Sequence, residues 1–172
     1  GEKVWLKRRF REYKIEDRDL SKLKMRMDVI PVSIALAQAA NETGWGTSRF
    51  ALEGNALFGQ WTWSKKGISP KNKDPNKSHK ILQFQILKAS VRAYKNNLNT
   101  HNAYKEFREV RAKLRQSGTK VTGLALIKYL KNYSEIGAKY TEIIEGIMVQ
   151  NSLTDFDKAN LLPTKLKTGI AL

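Results

Sequence analysis

The sequence predicts a mainly α domain (α+β) with one small β insertion, and three observations carry that reading. Apolar residues recur at helical spacing through most of the chain, strand-like alternation is confined to residues 57–63 and 80–87, and the stretch between those two is rich in lysine and proline. The 172 residues, 41% hydrophobic, suffice for a single core.

In chain order, Leu20, Leu23, Met27 and Ile30 predict a helix or two ahead of Pro31, whose fixed φ suits a first helical turn. The most apolar helix follows in PVSIALAQAANETGWG, residues 31–46, with Gly44 as a left-handed stop. Residues 57–63 and KILQFQIL at 80–87 read as two strands of a small hairpin lobe, and residues 64–79 between them as a long mobile loop. Helical spacing returns at Val91–Asn99, Ala103–Arg115, Leu124–Leu130 and Tyr140–Met148, and the tail from Asn151 has no clear period. The expected divisions are a helical extension over 1–27, a main domain over 28–151 and a tail over 152–172.

Composition narrows the function. A net charge of +16 predicts attraction to polyanions, whether nucleic acid, anionic lipid or an anionic wall polymer. The absence of cysteine removes disulfides and thiolate nucleophiles, and His79 and His101 alone cannot build a multi-histidine zinc site, so neither metal nor cofactor is expected. No apolar run approaches the roughly 20 residues of a membrane span. Gly1 stands where an initiator methionine would, without a signal peptide, so the natural N-terminus and its targeting information are expected upstream.

Glu42 is the residue whose setting asks for an explanation. A carboxylate in the last turn of a helix faces the negative end of the macrodipole, a cost of roughly 0.3–1 kcal/mol. Desolvation by Trp45 and apolar neighbours would raise its pKa further and fit it for general acid chemistry near neutral pH. The alternative is an exposed polar residue at a helix end.

The stretch LAQAANETGWGTSRFALEGNALFGQW, residues 36–61, resembles the core motif of the glucosaminidase family of peptidoglycan hydrolases, which includes autolysins, flagellar rod-cap hydrolases and a Bax-like branch. Both the A-Q-x-A-x-E-T/S-G-W-G-x-S opening and the N-x-L-F-G ending are present. SVRAYKNNLNTHNAY at 90–104 and LKNYSEIGAKYTEIIEGIM at 130–148 are similar to the family's later helices, so the likeness covers roughly residues 28–151. It implies a lysozyme-like fold, with a helical lobe and a small β-lobe flanking a glycan cleft.

Carried over residue by residue, the resemblance makes Glu42 the general acid that protonates the departing glycosidic oxygen. Gly44 and Gly46 would let the backbone turn under the sugar, and Trp45 would support the helix end by packing. Asn55, Leu57, Phe58 and Gly59 would form the entry to the β-lobe, with Asn55 and Phe58 at the substrate. Leu57, Gly59, Trp61 and Trp63 would share one strand face. Trp61 and Trp63 would there either stack on sugar rings or cover the β-lobe core. Trp61 departs from the small or basic residue the family pattern carries. Tyr133 matches a tyrosine placed near the reacting sugar, where its hydroxyl orients water or the acetamide. Tyr94 matches an aromatic read either as substrate contact or as packing.

The second catalytic group stays open. Between Glu53 and Glu106 the only acid is Asp74, in the lysine-rich segment where many family members carry a β-lobe glutamate. Asp74 as base, a water held by Tyr133, and attack by the substrate's own 2-acetamido group are all compatible with the residues. Glu135 reads as a solvated helix end and Glu53 as structural or exposed. The resemblance implies peptidoglycan glycan strands as partner, cleavage of the β-1,4 bond after N-acetylglucosamine, a monomer, and a periplasmic, envelope or extracellular location. A non-catalytic basic module binding wall or nucleic acid is the rival class. Against nucleic acid, no recognition motif for it occurs and the basic residues are spread along the chain.

Overall fold

The computed structural model describes residues 1–62, 67–68 and 80–159. Helices α1 (Glu2–Glu12), α2 (Leu20–Arg26), α3 (Val32–Thr43) and α4 (Arg49–Gly54) precede strands β1 (Trp61–Thr62), β2 (Gly67–Ile68) and β3 (Lys80–Leu82). Helices α5 (Leu87–Thr100), α6 (Lys105–Gln116), α7 (Gly123–Leu126) and α8 (Ala138–Gln150) follow, with 3-10 segments at Asn102–Tyr104, Ile127–Tyr133 and Leu153–Lys158. The result is a mainly α, lysozyme-like arrangement with a small sheet set into it.

Helix α3 is the axis of the helical lobe. Pro31 opens it with φ −51°, and Gly44 ends it at φ 54°, its N–H bonded to the carbonyl of Ala40. Ile34 and Ala37 are fully buried, packed with Leu98, Phe107, Leu126, Leu130, Ile144 and Met148 from the later helices. Burying side chains of this size contributes about 1.5–3 kcal/mol each, and this is where the lobe's stability lies. Asp157 closes the other end of α3. Its carboxylate accepts from the N–H and hydroxyl of Ser33 and from the N–H of Gly123, a favourable place for a negative charge. A Cβ on Gly123 would stand 2.0 Å from Ser33 Oγ, so only glycine lets α7 approach α3 this closely. These bonds cross the expected division at 151/152.

A second, smaller core of Phe10, Tyr13, Ile15 and Leu23 joins α1 to α2. Arg111 of α6, with none of its side chain exposed, donates to the carbonyls of Met25 and Val29 and to Asn99 Oδ1, and lies 3.5 Å from Asp28. Burial lowers its pKa to about 10, with Asp28 opposing that shift. The contact spans the expected division at 27/28.

The sheet order is β1-β3-β2, antiparallel throughout, with Ile81 opposite both Trp61 and Ile68. Three strand expectations need correction. The strand expected over 57–63 begins only at Trp61 and, among the described residues, holds Trp61–Thr62, because Leu57 N–H bonds to Ser90 Oγ, Phe58 is buried against Tyr94, and Gly59 turns to φ 58°. Leu57 and Gly59 therefore lie outside the strand whose face they were expected to share. The strand expected over 80–87 stops at Leu82, since Phe84 N–H turns to the carbonyl of Gly54, and Leu87 already begins α5. Within the expected loop 64–79, Gly67–Ile68 form β2; its remaining residues lie outside the described ones. Helix α4, capped by Ser48 Oγ on the N–H of Ala51, was hidden inside the motif.

Candidate active site

The last turn of α3 brings Glu42 to the junction of the two lobes, and no basic side chain in that turn offsets the helix's negative end. Its Oε1 accepts a 3.1 Å hydrogen bond from Tyr140 and a long 3.4 Å one from Asn41. Its Oε2 lies against Gly59, where a Cβ would come within 2.8 Å of it at φ +58°. Glycine is thus required twice over, by backbone sign and by space.

A buried chain of hydrogen bonds fixes the Tyr140 hydroxyl. Tyr94 donates to Gln38 Oε1 at 2.6 Å, Gln38 Nε2 donates to Tyr140 at 2.8 Å, and Tyr140 donates in turn to Glu42. Gln38, Tyr94 and Tyr140 are all essentially inaccessible. Burial pushes the Glu42 carboxyl above its ordinary value, partly offset by the bonds from Tyr140 and Asn41. Burial and the neighbouring Glu42 likewise push the Tyr140 hydroxyl up, so it remains a donor. Tyr133 is raised by burial and by Tyr94 and Glu42; it donates to the carbonyl of Phe58 at 2.9 Å and stacks on Tyr140 with ring centres 5.5 Å apart.

Glu42, Phe58, Gly59, Asn97, Tyr133 and Glu135 line a cavity of about 470 Å³ that opens between the lobes. Of the residues expected at the site, the structure brings together Glu42, Tyr133 and Phe58. Tyr94, read either as substrate contact or as packing, is 1% exposed and stands behind the wall, stacked 3.9 Å from Phe58. Asn55 caps α4 at φ 50° and donates to the carbonyl of Phe84, which holds the sheet to α4 rather than lining the cavity. Trp61 opens β1 opposite Ile81. Asp74 and Trp63 lie outside the described residues.

Trp45 departs from expectation. It is 61% exposed at φ 57°, so it neither packs under the helix end nor desolvates Glu42. Tyr140, Tyr133 and the Gly59 backbone enclose the carboxyl instead. Sequence reasoning missed Gln38, Tyr140 and Glu135's place in the cavity. Gln38 was open to detection, since it precedes Glu42 by four residues and so shares its helix face. Tyr140 carries no local signal, because its partner lies 98 residues away. Among the described residues, no three His, Asp or Glu side chains converge as metal ligands.

Comparison with known proteins accords with this geometry. The family model described as glucosaminidase, mannosyl-glycoprotein endo-beta-N-acetylglucosaminidase, matches residues 18–153. Protein bax of Escherichia coli (strain K12) is 40% identical over 126 residues, 73% of this chain and 44% of bax, so the chain spans less than half of that relative's length. No solved structure matches the chain. With the match running from α2 through α8 and taking in Glu42 and the cavity around it, the chain belongs to the glucosaminidase family of glycoside hydrolases.

Proposed function

We propose that the chain hydrolyses the β-1,4 bond after N-acetylglucosamine in peptidoglycan, with Glu42 as general acid. The observation that carries this reading is the setting of Glu42: a carboxyl whose hold on its proton is strengthened by burial, bonded at Oε1 and facing a cavity between two lobes. With Oε1 occupied by the Tyr140 hydrogen, the transferable proton resides on Oε2. As that proton passes to the leaving oxygen, negative charge grows on Glu42 and the bond from Tyr140 strengthens. The stabilisation therefore belongs more to the transition state than to the ground state.

For the water that completes hydrolysis, Glu135 is the base favoured by the described residues, because it is an exposed carboxylate lining the same cavity as Glu42. Tyr133, a neutral phenol whose hydrogen is given to Phe58, is a poor base and serves to hold the cavity wall. The glycan strand is the partner, and an envelope or extracellular location follows from that substrate.

A zymogram with peptidoglycan in the gel tests the activity, and borohydride reduction with mass spectrometry of the products tests the bond. Reduced N-acetylglucosamine ends are expected. Reduced or anhydro N-acetylmuramic acid ends would refute the bond assignment. Binding without any clearing would indicate a non-catalytic module.

A further inference from the structure

The surface around α5 carries, besides the cleft, two adjoining grooves of opposite character. Between α1 and α5 lies a cavity of about 330 Å³ lined by Arg9, Lys88, Arg92 and Lys95, with Glu12 as its carboxylate. Lys88, Arg92 and Lys95 follow one another at i, i+4 and i+7, so all three project from one side of α5, and all are exposed. Glu12 is paired with Arg9 at 2.5 Å, while Arg9 Nε is buried with no acceptor among the described residues. Beside this basic groove runs an apolar one of about 380 Å³, bordered by Val29, Val32 and Leu36, all at least 39% exposed. Val91 and Lys95 line both grooves and so make them one continuous surface. Val4 and Trp5 on α1 add exposed apolar area beside Lys3, Lys7 and Arg8, and Ile86 and Leu87 do so at the start of α5.

We propose that this surface docks on an anionic phospholipid bilayer. Positive charge alone would suit any polyanion. The exposed aliphatic residues set among the cations decide the matter, since a soluble anionic polymer has no use for Val29, Val91 and Leu36 in water and a nucleic acid could use only the indole of Trp5, by stacking. A bilayer takes up both kinds of group, with phosphates on the cations and aliphatic and indole side chains in the headgroup boundary. The orientation suits a glycan-cutting enzyme. Asn97, which lines the cleft, follows Lys88 by nine residues, about two and a half helical turns, so the α5 cations project from the side opposite the cleft, while Phe58 lines both the apolar groove and the cleft.

The test is co-sedimentation of the full chain with phosphatidylcholine vesicles and with vesicles that also contain phosphatidylglycerol. Two variants accompany it: Lys88→Gln, Arg92→Gln, Lys95→Gln together, and Trp5→Ser with Val91→Ser, each checked for an unchanged circular dichroism spectrum. The wild type is expected to sediment with the anionic vesicles only. The charge variant should bind them roughly 100-fold more weakly, the span of three surface cations, and the apolar variant about tenfold more weakly. Equal binding to both vesicle types would overturn the proposal. So would an apolar variant that binds like wild type while soluble polyphosphate or duplex DNA displaces both proteins, which would mark a polyanion site. The readout is independent of glycan cleavage, so its failure would leave the hydrolase reading untouched.

Discussion

Tyr140, in the first turn of α8, donates its hydroxyl hydrogen to Glu42, in the last turn of α3, across 98 residues of sequence. One bond thereby joins the two helices on which the proposed chemistry depends. Its direction matters, because the donor favours the charged carboxylate while burial favours the neutral acid, and burial is the larger effect.

Glu42→Gln is expected to remove wall clearing, a loss of ~10²–10⁴ or more if the residue is the acid. The same change should stabilise the fold at neutral pH. A carboxyl whose folded pKa is raised contributes stability below its unfolded pKa and loses it as pH rises through the folded value, so wild type carries a cost at pH 7 that Gln lacks. Thermal unfolding should show a higher Tm for the variant at pH 7, converging with wild type in acid. Normal clearing by the variant would end the mechanism.

Tyr140→Phe is expected to lower kcat by about 10–100-fold. Without the donor, the pKa of Glu42 rises further, so the alkaline limb of the pH–rate profile should move to higher pH. A loss of rate with an unmoved limb would mean that Tyr140 acts only through packing.

Gly59→Ala should disable the site more than the fold. The new methyl meets Glu42 Oε2, and the left-handed backbone adds about 1–2 kcal/mol. Activity at least tenfold below wild type is expected, with Tm lowered by only a few degrees. Full activity would show that the carboxyl is free to move aside.

Glu135→Gln, Asp74→Asn and Tyr133→Phe separate the routes for the attacking water. If Glu135 is the base, its loss should cost ~10²–10⁴ in rate, with Asp74→Asn altering turnover only a few-fold. A crippled Asp74→Asn beside a normal Glu135→Gln would reverse the assignment. Near-normal rates for both acids would favour the substrate's acetamido group.

Asp28→Asn addresses stability away from the site. Burial pushes the Asp28 carboxyl up, but bonds from Arg115 and the Val29 N–H, with Arg111 nearby, hold it below its ordinary value overall. That stability is present above the unfolded pKa and is lost as pH falls through the folded one. The variant should lose about 3 kcal/mol in denaturant unfolding at pH 7, since it leaves buried Arg111 without its counter-charge. Its deficit should shrink below about pH 4.

The sequence made α3 legible because local rules govern it: proline at one end, glycine at the other and apolar spacing between. It also pointed to Glu42, through a motif that fits a general acid. It failed where distant partners decide. Leu57–Gly59 alternate like a strand, yet Phe58 is drawn into the helical core by Tyr94. Trp45 looked like packing, yet the enclosure of Glu42 comes from α8 and from the turn at Gly59. Neither partner can be inferred from residues near Glu42 in the chain.

The file of hydrogen bonds from Tyr94 through Gln38 and Tyr140 runs one way and passes through an amide, which cannot hand on a proton without changing its tautomer. It insulates protons rather than conducting them. On the proposed mechanism, Glu42, once it has given its proton away, must be recharged from the cleft mouth, by the water that attacks or by solvent entering as the glycan leaves. Turnover would then be gated at the same opening through which product departs, and raising solvent viscosity should slow recharging and release together.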